Sequence, residues 1–168
     1  MKADDSYLQP LLEGVKQYVV PLFQRAYSWK KDEWAMLWKD LMEVYGTEEE
    51  RDHFFGALVT LPISMAPVGV NKFLLIDGQQ RLTTVFIILA LIRDLASASD
   101  TMLATQIEEL FLINRFEHGP NRYKLLPTQA DRDTFMHMID KSLLAATIIV
   151  SVLPEPWVCH SSPLSVLV

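Results

Sequence analysis

The segment from Lys72 to Ala96 constrains the fold most. It opens as an apolar β-type run, Lys72 to Ile76 (KFLLI), and breaks at Asp77-Gly78. It then continues from Gln79 to Ala96 as a long helical stretch that is apolar nearly all the way round. A helix without a polar face has to be enclosed by other elements. The segment is therefore expected to be the buried central helix of the domain, with the preceding strand in the sheet that covers it.

The flanking segments supply the other elements. Asp5 to Glu13 reads as a short helix, and Val15 to Val20 as a strand stopped by Pro21, whose missing N–H cannot serve a central ladder. Between Lys31 and Tyr45, the residues Trp34, Leu37, Trp38, Leu41 and Tyr45 recur at spacings of three and four, which predicts an amphipathic helix. Ser28 is placed to cap it and Gly46 to end it. His53 to Leu61 reads as a strand closed by Pro62 and pairing with Lys72 to Ile76. A helix is predicted from Thr101 to Phe116 on Leu103, Ile107, Leu110 and Phe111, broken at Gly119-Pro120-Asn121. A short strand follows over Arg122 to Leu126, then a last helix over Gln129 to Asp140 with Phe135 and Ile139 inward. Residues 1–141 thus form the expected domain. Residues 142–168 make an apolar, proline-interrupted, nearly uncharged tail that fits a buried strand, a segment that packs on a partner, or residues left by truncation or a change of reading frame.

Composition narrows the function classes. Half of the 168 residues are hydrophobic and 21% are charged, which is a globular balance. The net charge of −6 repels a polyanion, so a DNA contact would need a local basic patch. The single Cys159 excludes an internal disulfide and, with an acidic N-terminus, points to the cytoplasm. Val85 to Leu91 and Leu143 to Leu153 are both too short to span a membrane. His53, His118, His137 and His160 are scattered and predict no metal site, and the defining turns of P-loop, Rossmann and hydrolase-elbow proteins do not occur.

Chemistry concentrates in two stretches. Asp77-Gly78-Gln79-Gln80-Arg81 puts consecutive polar groups between two apolar elements, where the first N–H groups of a helix lack partners and the dipole favours an anion. Gly78 permits the turn, Arg81 can clamp a phosphate, and Gln79 and Gln80 can orient a phosphate oxygen or an attacking water. Asp77 can hold Mg²⁺ or act as a base. Thr83 and Thr84 can also reach a ligand, although hydroxyls there usually bond the local backbone. The bland alternative makes Asp77 an N-cap and Arg81 its ion-pair partner. The second stretch, Phe23-Gln24-Arg25-Ala26-Tyr27-Ser28-Trp29, combines a guanidinium, an amide and three aromatics, suited to base stacking or a phosphate contact. Its alternative reading is core packing of the aromatics with Arg25 paired to an acid such as Asp40.

The runs VPLFQRAYSWKKDEWAMLWKDL, HFFGALVT, LIDGQQRLTTVFIILALIRDL and YKLLPTQADRDTF together resemble the N-terminal domain of GmrSD-type restriction endonucleases, domain-of-unknown-function family 262. The match runs in order over roughly Val15 to Ile139. The resemblance implies a ParB/sulfiredoxin-like fold of α+β type, a small sheet packed against a buried central helix and further helices, whose equivalent turn binds or hydrolyses a nucleotide (NTP), and a bacterial defence role against phage DNA carrying modifications. By position it implies catalytic roles for Asp77, Gln79, Gln80 and Arg81. Nucleotide-binding roles fall to Gly78, Arg81, Thr83, Thr84, Gln24 and Arg25, and modified-DNA sensing to Arg25, Tyr27 and Trp29. Members of the family commonly carry a His-Asn-His nuclease domain, and nothing after Lys141 resembles one. DNA cleavage by this chain alone is therefore not expected, and a nuclease domain or subunit is the expected partner. The competing expectation is a non-enzymatic DNA-binding or protein-interaction remnant that docks on a separate nuclease subunit.

Overall fold

Among the described residues, three parallel strands and one antiparallel edge strand make up a mixed sheet in the order β2 (Val59–Ser64), β3 (Asn71–Asp77), β1 (Lys16–Val19), β4 (Leu125–Leu126). The computed structural model describes residues 6–46, 54–65 and 68–140. Strand β1 (Lys16–Val19) lies between β3 (Asn71–Asp77) and β4 (Leu125–Leu126) and runs parallel to both, with Val19 opposite Leu74 and Leu126. Strand β2 (Val59–Ser64) pairs antiparallel with β3 at the edge. Parallel pairing of β1, β3 and β4 brings all three carboxyl ends to one edge of the sheet, and the loops that follow them emerge there together.

Against the sheet lies α3 (Gln79–Ser97), which starts immediately after β3. Leu82, Phe86 and Ala90 are completely buried, as is Leu75 on β3, and Phe86 packs 6.2 Å from the ring of Phe135. Each fully buried side chain of leucine or phenylalanine size contributes about 1.5–3 kcal/mol. This is the enclosed central helix that the apolar run predicts. Around it stand α1 (Leu8–Leu12), α4 (Thr101–Ile107) and α5 (Gln129–Asp140), the last with Phe135, Met138 and Ile139 buried. The fold is α+β, with this small mixed sheet and five α-helices among the described residues.

The chain divides into two units. Residues 6–28 and 54–140 are the described part of the first and carry every element above. The described part of the second, 29–46, holds α2 (Lys31–Tyr45), whose Trp34 and Leu37 are buried at the expected helical spacing and whose end is capped by Gly46. Its start differs from the expectation. The N-cap is Lys30, whose backbone N–H donates to Glu33 Oε2 at 2.8 Å, and Ser28 has a different partner.

Two further boundaries differ. Pro62 does not close β2, which begins at Val59 and continues to Ser64; an edge strand has one side without ladder bonds, so the missing N–H is tolerated, with irregular register beside it. The helix expected to reach Phe116 is α-helical only to Ile107. It widens into a π-helical turn at Glu108–Leu112, closed by an Ile113 N–H to Glu108 O bond of 2.9 Å. Ile113 then extends to bridge Tyr123, which draws the chain off the helix axis. Residues 141–168, including Cys159 and the expected tail, lie outside the described residues, as does His53.

Candidate functional site at the carboxyl edge of the parallel strands

Strand β3 ends at Asp77, and Gly78 turns the chain into α3 with φ 89°, in the left-handed region open to glycine. Space forbids a side chain there as well: a Cβ on Gly78 would stand 2.3 Å from Leu58 Cδ2 and 3.2 Å from Ala57 O. Gly78 is the N-cap, so Asp77 is not. No side chain caps this helix, whose first internal bond is Leu82 N–H to Gly78 O at 2.9 Å. The N–H groups of Gln79, Gln80 and Arg81 therefore open a long helix without a side-chain acceptor, at its positive end.

The two glutamines are buried and turned toward the loop that follows β1. Gln79 Nε2 donates to Arg25 O at 2.9 Å, Gln80 Nε2 donates to Ala26 O at 3.1 Å, and Gln80 Oε1 accepts from Ser28 N–H at 2.8 Å. Gln24 Nε2 bonds Ile76 O at 2.9 Å, the last carbonyl but one of β3. Thr84, completely buried, donates to Gln80 O at 2.9 Å, and the Tyr27 hydroxyl meets its Oγ1 at 2.8 Å. The structure thus brings Arg25, Tyr27, Gln79, Gln80 and Thr84 together through hydrogen bonds, with Gln24 tied to the end of β3. Thr83 is buried nearby on α3, and Trp29 belongs to the second unit.

Arg81 faces a different segment. Its Nη2 donates to Ala57 O at 2.8 Å and its Nη1 to Phe55 O at 3.3 Å, and Nη2 lies 3.9 Å from Asp77 Oδ2. A Cβ on Gly56, where φ is +95°, would fall 1.5 Å from Nη1, so only glycine lets the guanidinium lie against this stretch. The Asp77 carboxylate is mostly exposed, at 68%, and the Arg25 side chain is exposed too. A guanidinium has five N–H donors, so the two bonds leave Arg81 further donors for a ligand.

Sequence reasoning did not single out Gly56, Thr128 or Asp131. Asp131 Oδ2, in the first turn of α5, accepts from Tyr27 N–H at 2.8 Å and from Thr128 Oγ1 at 2.7 Å. Gly56 had a signal in the aromatic-Gly context HFFGALVT; Asp131 had only a Thr-x-x-Asp spacing, which does not reveal a distant partner. No group of three or more His, Cys, Asp or Glu side chains suited to a metal occurs among the described residues. Asp77 alone fits a Mg²⁺ ion that is held mainly by phosphate oxygens and water, since such ions need only one or two carboxylates. No helix among the described residues is long and apolar enough to cross a membrane.

A protein-family model described as "GmrSD restriction endonuclease, N-terminal domain" matches residues 8–161, which is most of the chain and extends past Lys141. No curated protein matches it.

Proposed function

The chain belongs to the GmrSD restriction endonuclease N-terminal domain family, and from that membership we propose that it is the nucleotide-binding regulatory or sensor domain of a bacterial DNA-restriction system. The observation that carries the reading is the start of α3, a 19-residue helix without a side-chain cap, flanked by Arg81 and by the loop that bears Arg25. Uncapped N–H groups at a helix start, with a guanidinium beside them, favour a phosphate-bearing ligand.

In this reading the phosphates of a nucleoside triphosphate rest on the N–H groups of Gln79, Gln80 and Arg81, at the turn that Gly78 makes. Arg81 and Arg25 balance the charge. Gln24, Gln79 and Gln80 keep the Arg25 loop in place through the bonds described above, and Thr83 and Thr84 support the helix side of the same contact. Asp77, exposed beside the turn, would hold Mg²⁺ or accept a proton from water if the nucleotide is hydrolysed. The ion would supply charge neutralisation on the phosphates. Arg25 and Tyr27 would sense modified DNA, and a nuclease domain or subunit would do the cutting, all in the cytoplasm. A ParB/sulfiredoxin-like origin for the fold belongs to the same proposal.

Calorimetric titration of nucleoside triphosphates into wild type and Arg81→Ala tests it. Wild type should bind, and the variant should lose about 1.5–3 kcal/mol, as for hydrogen bonds to charged groups. Identical traces for both proteins, or no heat with any triphosphate, would remove the proposal.

A further inference from the structure

Thr128 and Asp131 stand at the start of α5 in the spacing of a reciprocal helix cap. In such a cap the acid turns back to the backbone N–H of its own cap residue. Asp131 Oδ2 instead takes the Tyr27 N–H, at 2.8 Å and 104 positions away in sequence, together with the Thr128 hydroxyl. Thr128 closely follows β4, so this bond joins the start of α5 to the loop after β1 at the shared carboxyl edge.

The Arg25 loop is consequently gripped from two sides. From α3, Gln79 and Gln80 hold Arg25 O, Ala26 O and Ser28 N–H; from α5, Asp131 holds Tyr27 N–H. Four consecutive residues each give a backbone group to a side chain of a neighbouring element. A surface loop ordinarily leaves such groups to water. Holding them all fixes the direction in which the exposed Arg25 side chain leaves the backbone, which lowers the ordering cost of binding.

We propose that Asp131 is a positioning residue for the phosphate site: it fixes the Tyr27 peptide and thereby aims Arg25 at a nucleotide phosphate lying on the start of α3. The inference rests on the nucleotide reading above. Removing the carboxylate frees one side of the loop while the α3 side still holds it. An asparagine side chain at this position would keep an acceptor oxygen for both donors, so Asp131→Asn should restore what Asp131→Ala loses.

The test titrates ATP and GTP, each with Mg²⁺, into the full chain as wild type, Asp131→Ala, Asp131→Asn and the exposed neighbour control Asp133→Ala. Tyr27 amide exchange and the thermal midpoint are followed in each. The expected result is an affinity about tenfold weaker in Asp131→Ala, faster Tyr27 exchange, and recovery to within about threefold in Asp131→Asn. Wild-type affinity in Asp131→Ala despite faster Tyr27 exchange would overturn the positioning role while leaving the nucleotide reading intact. Equal losses in both Asp131 variants, in step with a lowered midpoint, would reduce Asp131 to a helix cap and overturn it too. No binding by wild type would instead bring down the nucleotide reading, and this inference with it.

Discussion

At the carboxyl ends of β1, β3 and β4, side-chain amides hold a loop in place while charged groups stay exposed; at the amino ends of the same strands, polar side chains are sealed inside. Lys124, just before β4, is 2% exposed and its Nζ donates to Leu12 O, Gly14 O and Leu110 O at 2.9, 2.8 and 2.5 Å. Gln17 Nε2 bonds Pro120 O at 2.6 Å and Tyr123 O at 2.8 Å, and Asn114 Nδ2 bonds Lys16 O at 3.1 Å and Asn121 O at 2.9 Å. Those donors tie carbonyls of α1, β1 and the π-helical turn to the loops beside them. Gln17 Oε1 and Asn114 Oδ1 are buried without a partner, a cost borne for the stapling. At the opposite edge, Asp77 and Arg25 remain open to a ligand. Both edges therefore hold buried polar groups; what distinguishes the carboxyl edge is exposed charge beside an uncapped helix start.

The largest effect that would sharpen this contrast is at the sealed edge. Lys124→Ala leaves three carbonyls without their donor and opens space, and should cost about 3–5 kcal/mol in urea unfolding. Nucleotide affinity of the folded protein should not change. A loss under about 1 kcal/mol would mean the sealed edge is not held by its polar groups. Gly78→Ala comes next: the left-handed φ and the 2.3 Å approach to Leu58 predict a loss of about 2–3 kcal/mol, with ligand binding falling alongside. Loss of stability without loss of binding would separate the turn from the site.

Gln80→Ala removes two bonds to the loop and should cost about 1–2 kcal/mol while accelerating Ser28 amide exchange. Slow Ser28 exchange in that variant would show the loop is held by something else. The smallest effect is on pH dependence. Burial lowers Lys124 from 10.5 to about 8, helped by the charge of Lys16 and opposed by Glu13. Between those values the unfolded chain binds more protons than the folded one, so this group makes stability rise with pH. Burial also raises Tyr18 and Tyr123 from 10.0 to about 12, so above pH 10 the unfolded chain releases protons first and stability falls. Lys124→Met, followed by urea unfolding across that range, should flatten the rise between pH 8 and 10 and leave the fall above it unchanged.

Much of the fold was legible in the sequence because it rests on local patterns. The apolar run of α3, the spacing in α2 and the break at Asp77-Gly78 each place an element without knowledge of its neighbours. The Thr101 to Phe116 helix misled because periodicity does not register the widened turn at Glu108, which follows from Ile113 being drawn to Tyr123. The polar turn was equally plain, yet the direction of its amides was not: whether Gln79 and Gln80 face a ligand or the Arg25 loop depends on where β1 lies. Lys124 and Asp131 escaped notice for the same reason. Their partners are over a hundred positions away, at Leu12 and Tyr27, and no spacing rule reaches that far.

In the proposed function the carboxyl edge, and only that edge, receives a nucleotide. Titrating ATP with Mg²⁺ into ¹⁵N-labelled protein and following each backbone amide by NMR tests it directly. Shifts should concentrate at Gly78 to Arg81 and at Arg25 to Ser28, while Gly14 to Gln17 and Asn121 to Lys124 stay still. Shifts centred on the amino edge, or none at saturating nucleotide, would contradict it.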